Sequence, residues 1–120
     1  NTKPAIFLFG HEPAFPFHRH IHDSLDRDPK QRDAFWKLLE SNGVSAYFCG
    51  HTHYYSRYRR PGGRVWQIDA GNTHNADHNG NTFIDVIVSD KEIRYNAWRD
   101  PHNTGKFAIA DTWTQPLPAR

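Results

Sequence analysis

Two short apolar runs stand out in the first half of the chain, and each is closed by a glycine. Ala5–Phe9 ends at Gly10, and Val44–Cys49 ends at Gly50. Apolar runs of this length with a glycine boundary are typical of buried strands. Both runs therefore predict strands of a sheet, with the chain turning sharply where each strand ends.

The residues between the two runs predict a helix over Pro29–Ser41. Asp28 suits the N-cap, Pro29 suits the first helical position, and Asn42-Gly43 suits the end. A strand, a helix and a strand in succession predict a right-handed crossover between parallel strands. The apolar positions expected on the buried face of the helix are Phe35, Leu38 and Leu39.

Alternating patterns after Gly50 predict further strands. These strands are Tyr54–Arg59, Arg64–Ala70, Thr82–Ser89, Glu92–Trp98 and Lys106–Trp113. Asp90-Lys91 joins two of them in a predicted hairpin, whereas the Pro-rich residues 115–120 are expected to trail from the domain. The predicted fold class is α/β, with one domain over residues 1–120 that holds a mixed β-sheet, a βαβ crossover and a C-terminal β-hairpin.

Composition narrows the classes of function. The formal net charge of +2 is too small to indicate a nucleic-acid partner, and no apolar run is long enough to cross a bilayer. The single cysteine, Cys49, lies in an apolar run and is expected to be a small buried hydrophobic residue. The sequence begins at Asn1 without a leader, as expected of a piece of a longer protein, so it predicts no localisation by itself.

Histidine is the unusual residue of this chain, with nine among 120 residues. His11 follows the first predicted strand, and His51 and His53 follow the second. Parallel strands bring their carboxyl ends to one edge of a sheet, where open α/β sheets hold ligands. His51 and His53 are two positions apart, so an extended backbone would point both rings to one side. The three imidazoles together predict a site for zinc, iron or manganese, although any one of them alone is more typical of a solvated loop.

The two glycine–histidine segments resemble motifs of the calcineurin-like metallophosphoesterases, which include the purple acid phosphatases. Phe9-Gly10-His11-Glu12-Pro13 is similar to one motif, and Cys49-Gly50-His51-Thr52-His53 is similar to the later Gly-His-x-His motif. The resemblance runs from about Ile6 to Gly71 and is strongest to bacterial secreted members. It implies a partial metallophosphoesterase fold in a secreted or periplasmic protein.

The resemblance also implies a reaction and a set of ligands. The family hydrolyses phosphomonoesters or phosphodiesters at two metal ions, such as Fe, Zn or Mn. By the resemblance, His11 and His51 bind one metal and His53 binds the other. His20 is a candidate contact for the substrate phosphate, with a solvated loop as the alternative. The alternative function for the whole chain is a histidine-rich fragment that binds a metal or a partner without catalysis.

The acidic ligands of the family belong to an N-terminal half that this chain lacks. Two segments of this chain have residues similar to those motifs but lie downstream of His53, which is the wrong order for the family. They are Asp100-Pro101-His102 and Gly71-Asn72-Thr73-His74. Two cations held without the bridging carboxylate would lack charge compensation. We therefore expect the 120 residues to be a C-terminal half that is inactive alone and that holds at most one incompletely ligated ion.

Two weaker signals lie near the motifs. Asp69 ends a predicted strand and is either an orienting partner of a ligand imidazole or an ordinary strand-end aspartate. The arginines around Pro61-Gly62-Gly63 indicate either a phosphate-binding patch or, as we favour, a solvated hairpin tip; they are Arg57, Arg59, Arg60 and Arg64.

Overall fold

The computed structural model describes residues 3–73 and 79–118, so His74 lies outside the described residues. The helix and strands are β1 (Phe7–Phe9), α1 (Pro29–Ser41), β2 (Ala46–Cys49), β3 (Tyr55–Arg59), β4 (Trp66–Ala70), β5 (Asn81–Val88), β6 (Glu92–Asp100) and β7 (Ala108–Pro116). Ile6–Gly71 forms one compact unit, and a second unit contains β5, β6 and β7.

The first unit contains the predicted crossover. Its four strands lie in the order β1-β2-β4-β3, with β1, β2 and β4 parallel and β3 antiparallel to β4. Helix α1 connects the parallel pair β1 and β2, as the sequence predicted. The mixed sheet and the βαβ crossover are therefore confirmed.

Helix α1 has the predicted bounds because its ends are specified locally. The Asp28 side chain accepts a hydrogen bond from the Gln31 amide at 3.1 Å, and Pro29 occupies the first turn. The predicted buried face was partly wrong, since Leu38 is 59% exposed while Trp36 is only 1% exposed. Phe35 and Leu39 lie on the same side of the helix as the larger Trp36, and this packing turns Leu38 outward.

Strand β1 was predicted to be buried, and this was wrong. It is short, and among the described residues it pairs only with β2, so it lies at an edge of the sheet. Phe9 is 74% exposed as a result, with its ring stacked on Phe48. The buried core lies instead between α1 and the middle of the sheet and includes Trp36, Leu39, Val44, Tyr47, Cys49 and Val65.

A long loop runs from β1 to α1 and is attached to the sheet by one buried side chain. The Gln67 amide of β4 accepts hydrogen bonds from the Ala14 and Phe15 amides at 2.8 and 2.9 Å, and it donates to the Phe15 carbonyl at 2.8 Å. Loop positions 52 and 53 residues distant in the sequence are thereby held to the sheet. The Glu12–Asp28 segment therefore begins at a defined place beside the strand ends.

The second unit is an antiparallel sheet in the order β5-β6-β7. The predicted hairpin between β5 and β6 is confirmed, and Ser89 closes its turn by bonding Glu92. The predicted trailing end was partly wrong, because β7 continues to Pro116 and pairs with Glu92. Thr114 and Gln115 thus extend the edge strand that the sequence predicted only to Trp113.

Candidate metal centre

The two glycine corners lie side by side at the carboxyl ends of β1 and β2. The Gly10 amide donates to the Phe48 carbonyl, and the Gly50 amide donates to the His11 carbonyl, each at 3.0 Å. A side chain at Gly10 would collide with the Tyr47 hydroxyl, so the close approach requires glycine there. The parallel hydrogen bonding therefore continues beyond β1 and β2, and it places His11 next to Gly50.

His11 and His51 meet at this edge, as the topology predicted. The His11 Nε2 and His51 Nδ1 atoms are 3.1 Å apart, although the residues are 40 positions apart in the sequence. The ring centroids are 4.9 Å apart in an edge-on arrangement. Two ring nitrogens that face each other at this distance share either a proton or a cation.

His53 follows on the same turn, but the backbone is not extended as predicted. His51 and His53 have φ angles of 72° and 63°, in the left-handed region. Such angles are uncommon for residues other than glycine and cost about 1–2 kcal/mol each. The chain leaves the sheet at Gly50, so the turn begins at once. The spacing of two positions between His51 and His53 therefore does not by itself place both rings on one side. The Nδ1 atom of His53 lies 3.1 Å from Nη1 of Arg19.

The backbone of the loop next to this edge is also left-handed at three histidines. His18, His20 and His22 have φ angles of 67°, 57° and 69°. The His20 ring stacks on His51 at a centroid distance of 3.9 Å, and its Nδ1 atom lies 3.2 Å from Oδ2 of Asp23. Backbone strain of this kind is concentrated at functional sites in proteins.

Asp23 is a potential ligand that the sequence analysis missed. One ligand atom each from His20, Asp23 and His51 can be chosen so that the three lie within 4.8 Å of one another. The carboxylate side chain is 72% exposed. Its position directly after the alternating His18–His22 run is the signal that could have indicated it.

Residues 51–54, which include His51 and His53, form a turn after β2 that we call the histidine turn. Asp69 lies beneath this turn and is buried. It is 1% exposed, its Oδ2 atom accepts the Thr52 hydroxyl at 2.6 Å, and its Oδ1 atom accepts the Gly71 amide at 2.9 Å. Burial raises the pKa of this carboxyl to about 6, while the bonds from Thr52 and Gly71 and the charges of His53 and His11 act in the opposite direction. The candidate orienting residue is thus tied to the residue between the two histidines.

The other residues that the sequence analysis singled out lie away from this edge or contribute to packing. Asp100, from the Asp100-Pro101-His102 segment, is buried in the second unit and accepts hydrogen bonds from Thr104 and Gly105. Cys49 is buried as expected, and burial raises the pKa of its thiol. In the arginine cluster, the Arg57 and Arg59 guanidinium groups each lie 5.0 Å from the centre of the Trp66 ring.

No protein-family model matches the chain, and no curated protein sequence matches it. The fold resembles Vps29 from Chaetomium thermophilum, with a TM-score of 0.51 and 11% identity over 72% of this chain and 47% of that one. Vps29 from Entamoeba histolytica, solved in complex with Zn²⁺, aligns with a TM-score of 0.46 and 17% identity over 71% of this chain and 46% of that one.

A third structure is a conserved uncharacterized protein from Streptococcus pneumoniae TIGR4, described as a predicted phosphoesterase. It aligns with a TM-score of 0.49 and 11% identity over 76% of this chain and 49% of that one. The chain spans about half the length of each of these structures. In the described part of the chain, no helix has the length and apolarity that crossing a bilayer requires. The mixed sheet and the antiparallel sheet are those of a partial metallophosphoesterase-like fold.

Proposed function

We propose that this chain carries the histidine side of a metal site that hydrolyses phosphate esters. The proposed ligands are His11, His51 and His53. The observation that supports the proposal most directly is the 3.1 Å separation between His11 Nε2 and His51 Nδ1 at adjoining strand ends. The remaining ligands, including the acidic ones, would come from the half of the fold that this chain does not contain.

The spacing of the ring nitrogens fits a shared cation. Two ligand atoms at the usual zinc–nitrogen distance, in tetrahedral geometry, are about 3.3 Å apart. The observed 3.1 Å between His11 and His51 is close to that value. Imidazole nitrogen suits zinc, iron and manganese. The exposed Asp23 carboxylate is an oxygen donor close to His20 and His51.

The surroundings of His51 favour the tautomer that a metal ligand needs. Its Nε2 atom lies 3.4 Å from the Asp23 carbonyl oxygen, which accepts a proton but cannot donate one. A hydrogen on Nε2 leaves the Nδ1 lone pair directed at His11. Partners of this kind orient imidazole ligands in metal sites.

Phosphate esters react slowly with water because their negative charge repels nucleophiles. Two bound divalent or trivalent ions would supply positive charge to the phosphoryl oxygens and lower the pKa of water. This chain would contribute the imidazoles that hold those ions and the loop that covers them. The proposed substrate is a phosphomonoester or a phosphodiester.

His20 is proposed to contact the substrate phosphate. Its ring lies flat against His51, and its Nδ1 atom points to Asp23, so Nε2 is the atom with which it could meet a phosphate oxygen. A protonated imidazole beside the site would donate a charged hydrogen bond to the phosphate.

The test is a metal-supplemented assay of the full-length protein on p-nitrophenyl phosphate and bis(p-nitrophenyl) phosphate. His51→Ala and His53→Ala each remove a proposed ligand. We expect turnover to fall by more than about 100-fold, since the loss of a residue that merely supports a ligand already costs about 10–100-fold. His102→Ala removes an exposed histidine from the second unit and should change turnover by less than about twofold.

The outcomes separate the two functions. Turnover that is unchanged in both ligand variants would refute the assignment of the site. Zinc binding by the parent protein without hydrolysis of either ester would favour the binding fragment over the hydrolase.

A further inference from the structure

Two buried polar side chains bond each other at the turn that carries His51 and His53. Thr52 and Asp69 are each 1% exposed, and the Thr52 hydroxyl lies 2.6 Å from Oδ2 of Asp69. An O–H···O⁻ bond of this length belongs to the strong, charge-assisted class. It joins residues that are 17 positions apart, so it is a tertiary contact and not a local turn.

The hydrogen-bond directions follow from the donors that are available. The hydroxyl has one proton, and its shortest contact assigns that proton to Asp69. The Thr52 oxygen is then an acceptor, and the Tyr54 amide donates to it at 3.2 Å. The other oxygen of Asp69 accepts the Gly71 amide at 2.9 Å. One carboxylate therefore connects the turn after β2 with the turn after β4.

This connection acts at the residue between the two strained histidines. His51 and His53 both have left-handed backbone angles, which persist only where surrounding contacts determine them. Thr52 is bonded through its side chain, and its own amide donates to the Gly50 carbonyl at 2.8 Å. The hydrogen bond from Thr52 to Asp69 thus restrains the backbone of both His51 and His53.

We propose that Asp69, acting through the Thr52 hydroxyl, is the positioning residue that holds His51 and His53 ready for metal binding. The proposal rests on the proposed function of the two histidines. Without the bond, the turn would relax toward ordinary backbone angles and the imidazoles would separate. The bond thus places the ligands before the metal arrives, which raises affinity by removing a reorganisation cost.

The test measures the affinity of Zn²⁺ alone for the full-length protein, by competition with a chromophoric chelator. Thr52→Val keeps the shape and loses the hydroxyl, and we expect zinc affinity to fall about 10–100-fold. Thr52→Ser restores the hydroxyl and should bring affinity back to within about threefold. Asp69→Asn, which keeps an acceptor but loses the charge, should give an intermediate loss.

A matched control separates positioning from general stability. The Tyr95 hydroxyl donates to Oε1 of Gln115 at 2.8 Å, in a buried bond of the second unit. Tyr95→Phe removes that bond and should lower the thermal unfolding midpoint while zinc affinity stays unchanged. Unfolding midpoints of Thr52→Val and Asp69→Asn are measured beside it.

Each outcome supports or overturns the proposal. Equal zinc affinity in the parent, Thr52→Val and Asp69→Asn, together with weak binding by His51→Ala, would overturn the positioning role and leave the metal site intact. Equal affinity in the parent and His51→Ala would overturn the proposed function and the positioning role with it. If Thr52→Val does not fold, Asp69→Asn and the Thr52→Ser rescue decide the question.

Discussion

Asp69 near the end of β4 and Asp100 at the end of β6 are both 1% exposed, yet their hydrogen bonds differ in reach. Asp100 accepts bonds from the Thr104 amide and hydroxyl and from the Gly105 amide, all within five residues. Asp69 accepts one bond from nearby Gly71 and one from distant Thr52. Asp100 therefore stabilises its own turn, whereas Asp69 connects two turns and acts on the histidines above it.

The pKa shifts of the two carboxyls have opposite directions. The backbone bond from Thr104 is the largest influence on Asp100 and lowers its pKa, with further lowering by the bonds from Gly105 and the Thr104 hydroxyl. Burial dominates at Asp69 and raises its pKa to about 6. Donors that bond the charged form keep the Asp100 carboxyl ionised. A carboxyl whose pKa is raised by burial, as at Asp69, is a candidate for a functional site.

The largest effect expected from this comparison is a difference between two glycines. Gly71 and Gly105 each follow one of the aspartates and have φ angles of 73° and 80°. A Cβ at Gly71 would lie 3.1 Å from backbone atoms of Tyr54 and Tyr55, whereas a Cβ at Gly105 would meet nothing. Gly105→Ala should cost about 1–2 kcal/mol of backbone strain, and Gly71→Ala about 2–5 kcal/mol because overlap is added.

The measurement is the free energy of unfolding from urea denaturation, with zinc affinity determined on the same samples. Gly71→Ala should also weaken zinc binding, because the overlap lies against the backbone that follows His53. Equal losses of stability in the two variants would show that the two turns are equivalent.

The two aspartates should also give opposite pH dependence in the metal-free protein. The pKa of Asp69 is raised from 3.8 to about 6, so the folded state holds this proton more tightly than the unfolded state. Its contribution is therefore present at low pH and is lost as the pH rises through about 6, with a total of at most about 3 kcal/mol. The pKa of Asp100 is lowered, so its contribution is present at higher pH and is lost on acidification.

Urea denaturation with a chelator present, from about pH 2.5 to about pH 6.5, tests this difference. The stability of the parent relative to Asp69→Asn should decrease as the pH rises. The stability of the parent relative to Asp100→Asn should instead stay constant above about pH 4 and decrease as the pH is lowered below that value. Differences that run in parallel would contradict the distinction between the two carboxyls.

The features that could be predicted from the sequence are those set by neighbouring residues or by the topology of the crossover. The bounds of α1 follow from the Asp28 cap and the closing Asn42-Gly43, which depend only on neighbouring residues. The meeting of His11 and His51 follows from the handedness and parallel pairing of the crossover. The fold class and one contact of the candidate site could thus be predicted, while the role of the histidines as ligands stays a prediction.

The remaining features depend on tertiary contacts that no local pattern encodes. The left-handed angles of His51 and His53 accompany a bond from Asp69, and i, i+2 spacing by itself suggested an extended backbone. Asp23 comes close to His51 only because the loop folds back over the sheet edge. Likewise, the choice of Trp36 over Leu38 for the core depends on which side of α1 meets Tyr47.

The smallest expected effect concerns Arg19, a cationic side chain of the Glu12–Asp28 loop that contacts the histidine turn. Arg19 Nη1 lies 3.1 Å from His53 Nδ1. A guanidinium only donates, so this contact uses the lone pair with which His53 Nδ1 would bind a metal. A cation that binds through that atom must displace Arg19 and also meets its charge.

Replacing Arg19 should therefore tighten metal binding, in contrast to every other substitution at the site. We expect Arg19→Gln to bind Zn²⁺ about threefold to tenfold more tightly, since an exposed hydrogen bond of this kind contributes about 1 kcal/mol. Arg27→Gln is the matched control, because Arg27 is an exposed arginine of the same loop that bonds Glu12 at 2.9 Å and not a histidine. Chelator competition at low and moderate salt measures both. Equal tightening in the two variants would mean that net charge alone acts on the site, and no change in either would mean that Arg19 does not occupy the ligand atom of His53.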